Sequence, residues 1–548
     1  MRNRFIQIQI IFLKATSQYL TSVLITVISL SMTHSSKYFP LMFTWKIVSD
    51  PIYNYVTFNK EVEEPIVNSI LLQRLRYILQ LQTAHLVYPG AMHSRFQHSL
   101  GVMHLSGIVA QDYTDKIIAL YGESALEGFP ARSLVEATRL AGLLHDVGHA
   151  AFGHAFEEMV LWRNKKIPPD LSNHERIGFR LVEQLLEDVL LKLEKIHDLP
   201  HLTEILFELL RENEPRNKIF NVYRWIIKDS LYPADIVDFL RRDSYYTGAS
   251  EYGYIHHERL YVNTYPLETK DSYILVLDRT AWGEFREYMV AKAGMYEHVY
   301  YHSVNRAFDR VLNNIISKID SRYDLSERVL KISTGNPYPY LELTDVFMYK
   351  LMMDHALNPG DDIGRLCRTI MIDRKPPYRR VGREYILYAS KGLTHLRELL
   401  KLMFSQEHRQ RVQNLVFEEV VSAVKGRGAD YEDVWIDVLD ISPVPKSVLI
   451  PSGPGRKPYL RLYLGKKSGR EITLDREVDL LEEGLPLMVI FRAYISREKY
   501  DVDLEPIVSK ALESSIESAL GLTRKEYDEA LKTLFQHMDS MEHKSMTM

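Results

Sequence analysis

Residues 133–160 read SLVEATRLAGLLHDVGHAAFGHAFEEMV. Apolar residues recur at helical spacing as far as Leu144, with Ser133 as an N-cap candidate. The run LAGLL then carries His145 and Asp146 into a largely buried environment. A buried carboxylate without a partner is costly, so Asp146 should be ion-paired or metal-bound. An HD dipeptide alone is a weak signal, since most are ordinary helix residues. Here His149 follows one turn after His145, and His154 comes after further glycines. Packing alone does not call for so many imidazoles beside a carboxylate. Together with His98 and the distant Asp235, the group suits a divalent transition metal such as iron, zinc or manganese. Neighbouring helix residues point about 100° apart, so His145 and Asp146 cannot face the same way. A metal lying beside the helix, between residues of two other helices, can still reach both. Four such ligands leave positions for water and a phosphate oxygen, as hydrolysis requires.

Outward from this stretch, helical periodicity dominates from Ile66 to about Leu240. It is carried by VNSILLQRLRYILQL (67–81), HSLGVMHLSGIVAQDYTDKIIALYG (98–122), GFRLVEQLLEDVLLKLEKI (178–196), HLTEILFELLREN (201–213) and PADIVDFLRRD (233–243). A long helix is expected over 284–319. Between them, YGYIHHERLYVN (252–263) and SYILVLD (272–278) predict an inserted β-hairpin, with His256 and His257 on its surface. His104 reads as a satisfied core histidine. Beyond about residue 430 short strands alternate with turns, as in VWIDVLDI, PYLRLYLGKKSGREITL and LPLMVIFRAYIS, with PSGPGRKP as a loop. The expected fold is mostly α: a helical core over 42–425 and a smaller C-terminal α+β region over 426–548. Residues 1–41 form an extension whose apolar run YLTSVLITVISLSM (19–32) is shorter than the roughly 20 residues a membrane span needs. The extension is expected to be loosely packed or absent from the working protein, with translation beginning near Met42.

The 548 residues carry a net charge of -4, which gives no strong field for nucleic acid or an anionic membrane, so phosphate recognition must come from local Arg, Lys or metal. The single cysteine, Cys367, excludes an internal disulfide and cysteine-built zinc sites. It fits a reducing, cytoplasmic compartment. The basic segment RKPYLRLYLGKKSGR reads as a solvated hairpin rather than a nucleic-acid contact.

KIVSDPIYNYVTFN, LLQRLRYILQL, YPGAMHSRFQHSLGVMHLSG, HDVGHAAFGHAFEE, NHERIG and ADIVDFLRRDSYYTG follow one another in order. Over about Lys46 to Gly382 the chain resembles the HD-domain dNTP triphosphohydrolases, particularly the SAM-and-HD-domain branch. The resemblance implies that His98, His145, Asp146 and Asp235 hold a divalent Fe, Mn, Zn or Ni ion, with Mg accompanying the nucleotide. It implies that Arg95 contacts phosphate and that His149 and His154 lie at the α-phosphate, one of them as general acid. His174 and Glu175 match a supporting pair. Gln80 and Leu81 match the sugar and base pocket; Asp243 and Tyr300 match residues near the sugar. The reaction implied is attack of water on the α-phosphorus of a dNTP, releasing deoxynucleoside and inorganic triphosphate, in a homo-oligomer.

Three positions depart from that pattern. Ile236 and Phe239 stand where lysine and tyrosine are expected, and Lys292 replaces an arginine, keeping charge but losing the bidentate fork. Gln73, Arg76, Lys375 and Arg379 match positions that bind activating nucleotides between subunits, with Asn68 in place of a guanine-reading aspartate. The alternative for this segment is that Arg74 and Arg76 pair with acidic neighbours on a solvated helix face. For the whole chain, the alternatives are another phosphohydrolase (nucleotidase or phosphodiesterase) and a nucleotide- or nucleic-acid-binding protein with little catalysis.

Overall fold

A computed structural model describes residues 45–521 apart from 214, 271, 389–392, 443–460, 469–470 and 480–486. The N-terminal extension and the loop PSGPGRKP lie outside these residues. The described residues are mostly helical, with sheets of two, four and three strands, as their periodicities predict.

Two long helices form the centre. Helix α1, Arg95–Tyr121, begins where the Gln97 side chain accepts the Ser94 N–H at 2.9 Å. Helix α2, Ala131–Leu144, packs along it and starts at Pro130, so Ser133 is a buried helix residue and not the cap. Around them lie α3 (His174–Ile196) and α4 (Ala234–Thr247). The long helix expected over 284–319 is interrupted. Helix α5 (Trp282–Met295) runs into a π-turn at Tyr296–Tyr300, and α6 (Ser303–Tyr323) begins after His302. Helix α7, Asp345–Leu357, follows.

The segment 67–81 departs from its continuous helical pattern. It divides into Glu63–Val67, Ile70–Gln73 and a tight turn at Arg74–Tyr77. Ser69 breaks it, because its hydroxyl accepts the Leu72 N–H and starts a new turn.

Strands β1 (Trp45–Asp50) and β2 (Asn54–Asn59) make an antiparallel hairpin. The hairpin expected near 250–280 exists but starts later, as β3 (Thr264–Glu268) and β4 (Tyr273–Asp278). YGYIHHERLYVN instead folds over His257–Val262 as a helix that buries His257, Leu260 and Tyr261. Alternation over so few residues also matches i, i+3, i+4, and burial of that face decides. His257 is therefore core, not surface. The basic segment does form a hairpin, β7 (Arg461–Ser468) with β8 (Glu471–Asp479), and β7 joins β4 in parallel. Strand β5 (Tyr378–Tyr388) pairs with β9 (Met488–Ser496), which also pairs with β6 (Val434–Ile441). A continuous apolar core runs from Val56 to Leu520, so this C-terminal sheet packs on the helical body. Among the described residues, no helix is long and apolar enough to cross a membrane.

Candidate metal centre and adjoining cavity

Helix α2 stops at Leu144, and His145 caps it with its Nδ1 2.8 Å from the Gly142 carbonyl. His145 and Asp146 thus sit on a turn and not within the helix. His145 keeps helical backbone angles, φ −58° and ψ −34°, so the divergence of neighbours still applies at this turn. His98 comes from the first turn of α1 and Asp235 from the first turn of α4.

The four side chains converge. His98 Nε2 lies 3.0 Å from Asp235 Oδ1 and 3.9 Å from Asp146 Oδ2. His145 Nε2 lies 3.4 Å from Asp146 Oδ1 and 3.5 Å from Asp235 Oδ1. Donors at about 2.0–2.2 Å from one ion stand roughly 3.0–3.5 Å apart, so these spacings suit a shared cation. His145 Nε2 is buried and makes no well-formed hydrogen bond among the described residues, although carboxylates flank it. That orphaned nitrogen and the mixed imidazole–carboxylate donor set fit a divalent metal.

The electrostatics agree. Burial disfavours a charged His98, yet its bonds to Asp235 and Asp238 push it up to about 10, so the site demands positive charge. Burial also opposes ionisation of Asp146 and Asp235. The surrounding His145, His98 and, for Asp146, Arg95 hold both well below the usual carboxylate range.

Asp238, which the sequence reading passed over, accepts from His98 Nδ1 at 2.8 Å and leaves Nε2 facing the cage. Arg242 grips Asp238 through Nε and Nη2 at 2.9 and 3.0 Å, and Asp50 accepts from its Nη1 at 2.8 Å. The chain Asp50–Arg242–Asp238–His98 crosses α1 where Gly101 has no side chain. A Cβ there would stand 2.0 Å from Asp238 Oδ1. The spacing of three residues from Asp235, on the same helix face, was the available signal.

A cavity of about 580 Å³ opens beside the cage. Arg95, His98, Asp146, His149, His154 and Asp235 line it. So do His174, Glu175, Gln80, Leu81, Asp243 and Tyr300. Arg95 Nη1 donates to Asp146 Oδ2 at 2.6 Å, while its buried Nε has no hydrogen-bond partner among the described residues. His149 stacks on His174 at 3.8 Å, and burial together with the nearby Arg95 keeps His149 neutral. His154 differs, with its side chain 64% exposed. Glu157, a second residue the sequence reading did not select, joins the three imidazoles. It accepts from His174 Nδ1 at 2.6 Å and stands 3.4 and 3.7 Å from His149 Nδ1 and His154 Nδ1. Its place three residues after His154 was the signal. Despite burial, Glu157 raises His174 and is itself held low.

Asp243 accepts from Tyr300 Oη at 2.7 Å and contacts His93 Nε2 at 2.8 Å. Glu175 pairs with Lys228 at 2.5 Å. Phe239 lines the cavity with its ring against Tyr300, replacing a polar wall with an apolar one. Lys292 is buried outside the lining and near Asp235, where desolvation lowers it to about 7 even though Asp235 works against this.

The remaining sequence candidates lie elsewhere. Arg76 donates to Gln73 Oε1 at 2.8 Å and covers the Phe96 ring at 3.6 Å. Arg379 lies over Tyr500 at 3.9 Å, and Lys375 is exposed. Arg74 is not on a solvated face. It is buried and donates to the Val147 and His149 carbonyls at 2.9 and 2.8 Å, because helical spacing cannot tell an inward arginine from an outward one.

A model of the HD domain matches residues 95–229. An uncharacterized Bacillus subtilis protein, YwfO, is 28% identical over 281 residues, 51% of this chain and 57% of its own length. The deoxynucleoside triphosphate triphosphohydrolase SAMHD1 homolog of Dictyostelium discoideum is 26% identical over 56% of this chain and 54% of its own. Human SAMHD1 is 23% identical over 73% and 59%. The chain spans between about half and three fifths of the length of these relatives. Among solved structures, a hypothetical protein from Aquifex aeolicus superposes with a TM-score of 0.57 at 23% identity, covering 86% of this chain and all of that one. A phosphohydrolase from Bacteroides thetaiotaomicron gives 0.54 at 20%, covering 83% and all of it. These two likenesses establish the fold.

Proposed function

We propose, from the premise that the chain belongs to the HD-domain family and is an HD-type phosphohydrolase, that it cleaves deoxynucleoside triphosphates to deoxynucleoside and inorganic triphosphate. One observation carries this reading. A single cavity is lined by three of the four proposed cation donors, His98, Asp146 and Asp235, together with a buried arginine, the imidazoles of His149, His154 and His174 and the Asp243–Tyr300 pair, while His145 Nε2 approaches Asp146 and Asp235 at 3.4 and 3.5 Å.

A divalent metal held by His98, His145, Asp146 and Asp235 would acidify water and neutralise phosphate charge, with Mg entering on the nucleotide. Arg95 offers its unpartnered Nε to a phosphate oxygen while Asp146 fixes its other arm. His154 serves as general acid to the leaving sugar oxygen. Among the histidines lining the cavity its side chain is 64% exposed, and Glu157 stands 3.7 Å from its Nδ1. His149, held neutral, contributes a hydrogen bond and not a proton. His174 and Glu157 anchor this group, and Glu175 is steadied by Lys228. Asp243, fixed by Tyr300 and His93, presents an acceptor to the sugar hydroxyl, with Gln80 and Leu81 beside the base. Lys292 acts through Asp235 and does not touch substrate. Gln73, Arg76, Lys375 and Arg379 would serve an activating nucleotide where copies of the chain meet; within one chain Arg76 lies over Phe96 and Arg379 over Tyr500.

The test is incubation with each dNTP, Mg²⁺ and either Mn²⁺ or Fe²⁺, with products resolved by ion exchange and Asp146→Ala as control. Deoxynucleoside plus triphosphate, absent from the variant, is the expected result. Mono- or diphosphate products would replace this reading with a nucleotidase on the same cage, which the apolar Phe239 wall favours. Salt-sensitive oligonucleotide binding without turnover would replace it with a binding protein.

A further inference from the structure

The turn 147–152 joins the metal ligands His145 and Asp146 to the cavity histidines His149 and His154. Its backbone is held from far away in sequence. The Val147 and His149 carbonyls accept from Arg74, and the Gly148 carbonyl accepts from Tyr340 Oη at 2.5 Å. The Ala151 N–H donates to the Leu343 carbonyl at 3.0 Å, and the Phe152 N–H donates to Asp345 Oδ1 at 2.7 Å. Phe152 takes a left-handed backbone, φ 60°, which a bulky residue adopts only when its surroundings impose it. Arg74, Tyr340 and Asp345 are all buried, and the Arg74 guanidinium lies over the Tyr340 ring at 5.3 Å. The other oxygen of Asp345 accepts the Leu79 N–H at 2.9 Å, next to Gln80 and Leu81 on the cavity wall. One carboxylate therefore ties that wall to the histidine turn.

We propose that Arg74, Tyr340 and Asp345, all outside the HD-domain match, form a clamp that sets the spacing between the cation cage, the phosphate-facing histidines and the Gln80–Leu81 wall. They are positioning residues, and the inference rests on the hydrolase reading above. A carbonyl released from Arg74 or Tyr340 would be buried without a donor, so the turn would move to satisfy it. Displacements of about 1 Å between reacting groups can cost on the order of a hundredfold in rate.

The experiment compares wild type, Arg74→Lys, Asp345→Asn and Tyr340→Phe with Ile319→Val, a core change in α6 away from the site. Metal per chain is read by elemental analysis, stability by thermal melting, and kcat and KM separately on the preferred dNTP. Lysine keeps the charge but reaches one carbonyl, and asparagine accepts from one N–H but opposes the other with its amide. The expected result is wild-type metal content, a fall in kcat of about ten- to a hundredfold for these two and about threefold for Tyr340→Phe, and KM within about threefold. Ile319→Val should keep kcat. If either stronger variant fails to fold, Tyr340→Phe, which loses one hydrogen bond, decides the matter alone. Unchanged kcat in the clamp variants, kcat falling only in step with metal content, or an equal loss in Ile319→Val would each overturn the clamp. A metal-loaded wild type that turns over no dNTP would instead overturn the hydrolase reading on which the clamp depends.

Discussion

His98 can offer Nε2 to a cation only if its proton sits on Nδ1, and Asp238 holds it there at 2.8 Å. Arg242 and Asp50 in turn hold Asp238. Partners of metal-ligating histidines typically contribute ten- to a hundredfold in metal affinity. Asp238→Asn keeps a carbonyl for His98 but turns an amide toward Arg242. It should weaken metal binding about tenfold, read by competition with a chelating dye, while leaving the helical circular dichroism intact. Equal affinity would mean that His98 needs no such partner. At this scale the sequence was most legible where residues are neighbours, as at His145, Asp146 and His149. It was least legible at Arg74, whose two strong acceptors lie 73 and 75 positions away. Helical spacing placed that arginine on a face but carried no information about which face meets the turn.

At the scale of elements, the site depends on how closely the histidine turn approaches α3. Gly148 lies so near it that an added Cβ would stand 1.9 Å from the His174 carbonyl oxygen and 2.4 Å from the Gly178 nitrogen. Both are backbone atoms of one helix and cannot swing aside. Gly148→Ala should therefore push the turn off α3, lower the melting temperature by several degrees and reduce metal content per chain. Gly283→Ala, in α5 with nothing within 4 Å, should be neutral or raise the melting temperature slightly. Equal melting temperatures and metal contents in the two variants would show that α3 does not hold the turn. The mostly α class and most helices were legible because their apolar stripes span many turns. The inserted hairpin was legible only as to its existence. Over 252–263 a few alternating residues served a helix as well as a strand, and burial of His257, Leu260 and Tyr261 chose the helix.

Across the whole molecule, the C-terminal sheet supports the cavity. Arg306, from α6, lines the cavity and is held from β6 by Asp437, with Nε and Nη2 donating at 3.0 and 3.1 Å. Tyr301, also in the lining, donates its hydroxyl to the Asp440 carbonyl at 3.1 Å. Arg492 on β9 donates to the Tyr301 carbonyl, and Tyr494 donates to the Ser303 carbonyl at 3.0 Å. A change in a strand with no ligating role should thus reach the substrate. Asp437→Asn is expected to raise KM severalfold with metal content and kcat little changed, measured by steady-state kinetics beside elemental analysis. An unaltered KM would confine the C-terminal sheet to a structural part. This dependence was hidden in the sequence, where 434–441 reads as one more short strand beyond the helical region.

By itself the amino-acid order determined the helical class, the C-terminal change to strands and the small set of residues able to ligate a cation. Those properties follow from periodicity and from the chemistry of side chains, both of which are local. Only the tertiary structure decided that His145 caps a helix, that Asp238 and Glu157 orient their histidines, that Lys292 stands behind Asp235, and that residues 340–345 hold the turn between the two halves of the site. These depend on which faces of distant elements come into contact and which buried polar atoms must find partners there. Such contacts are made at short distances in space between residues far apart along the chain.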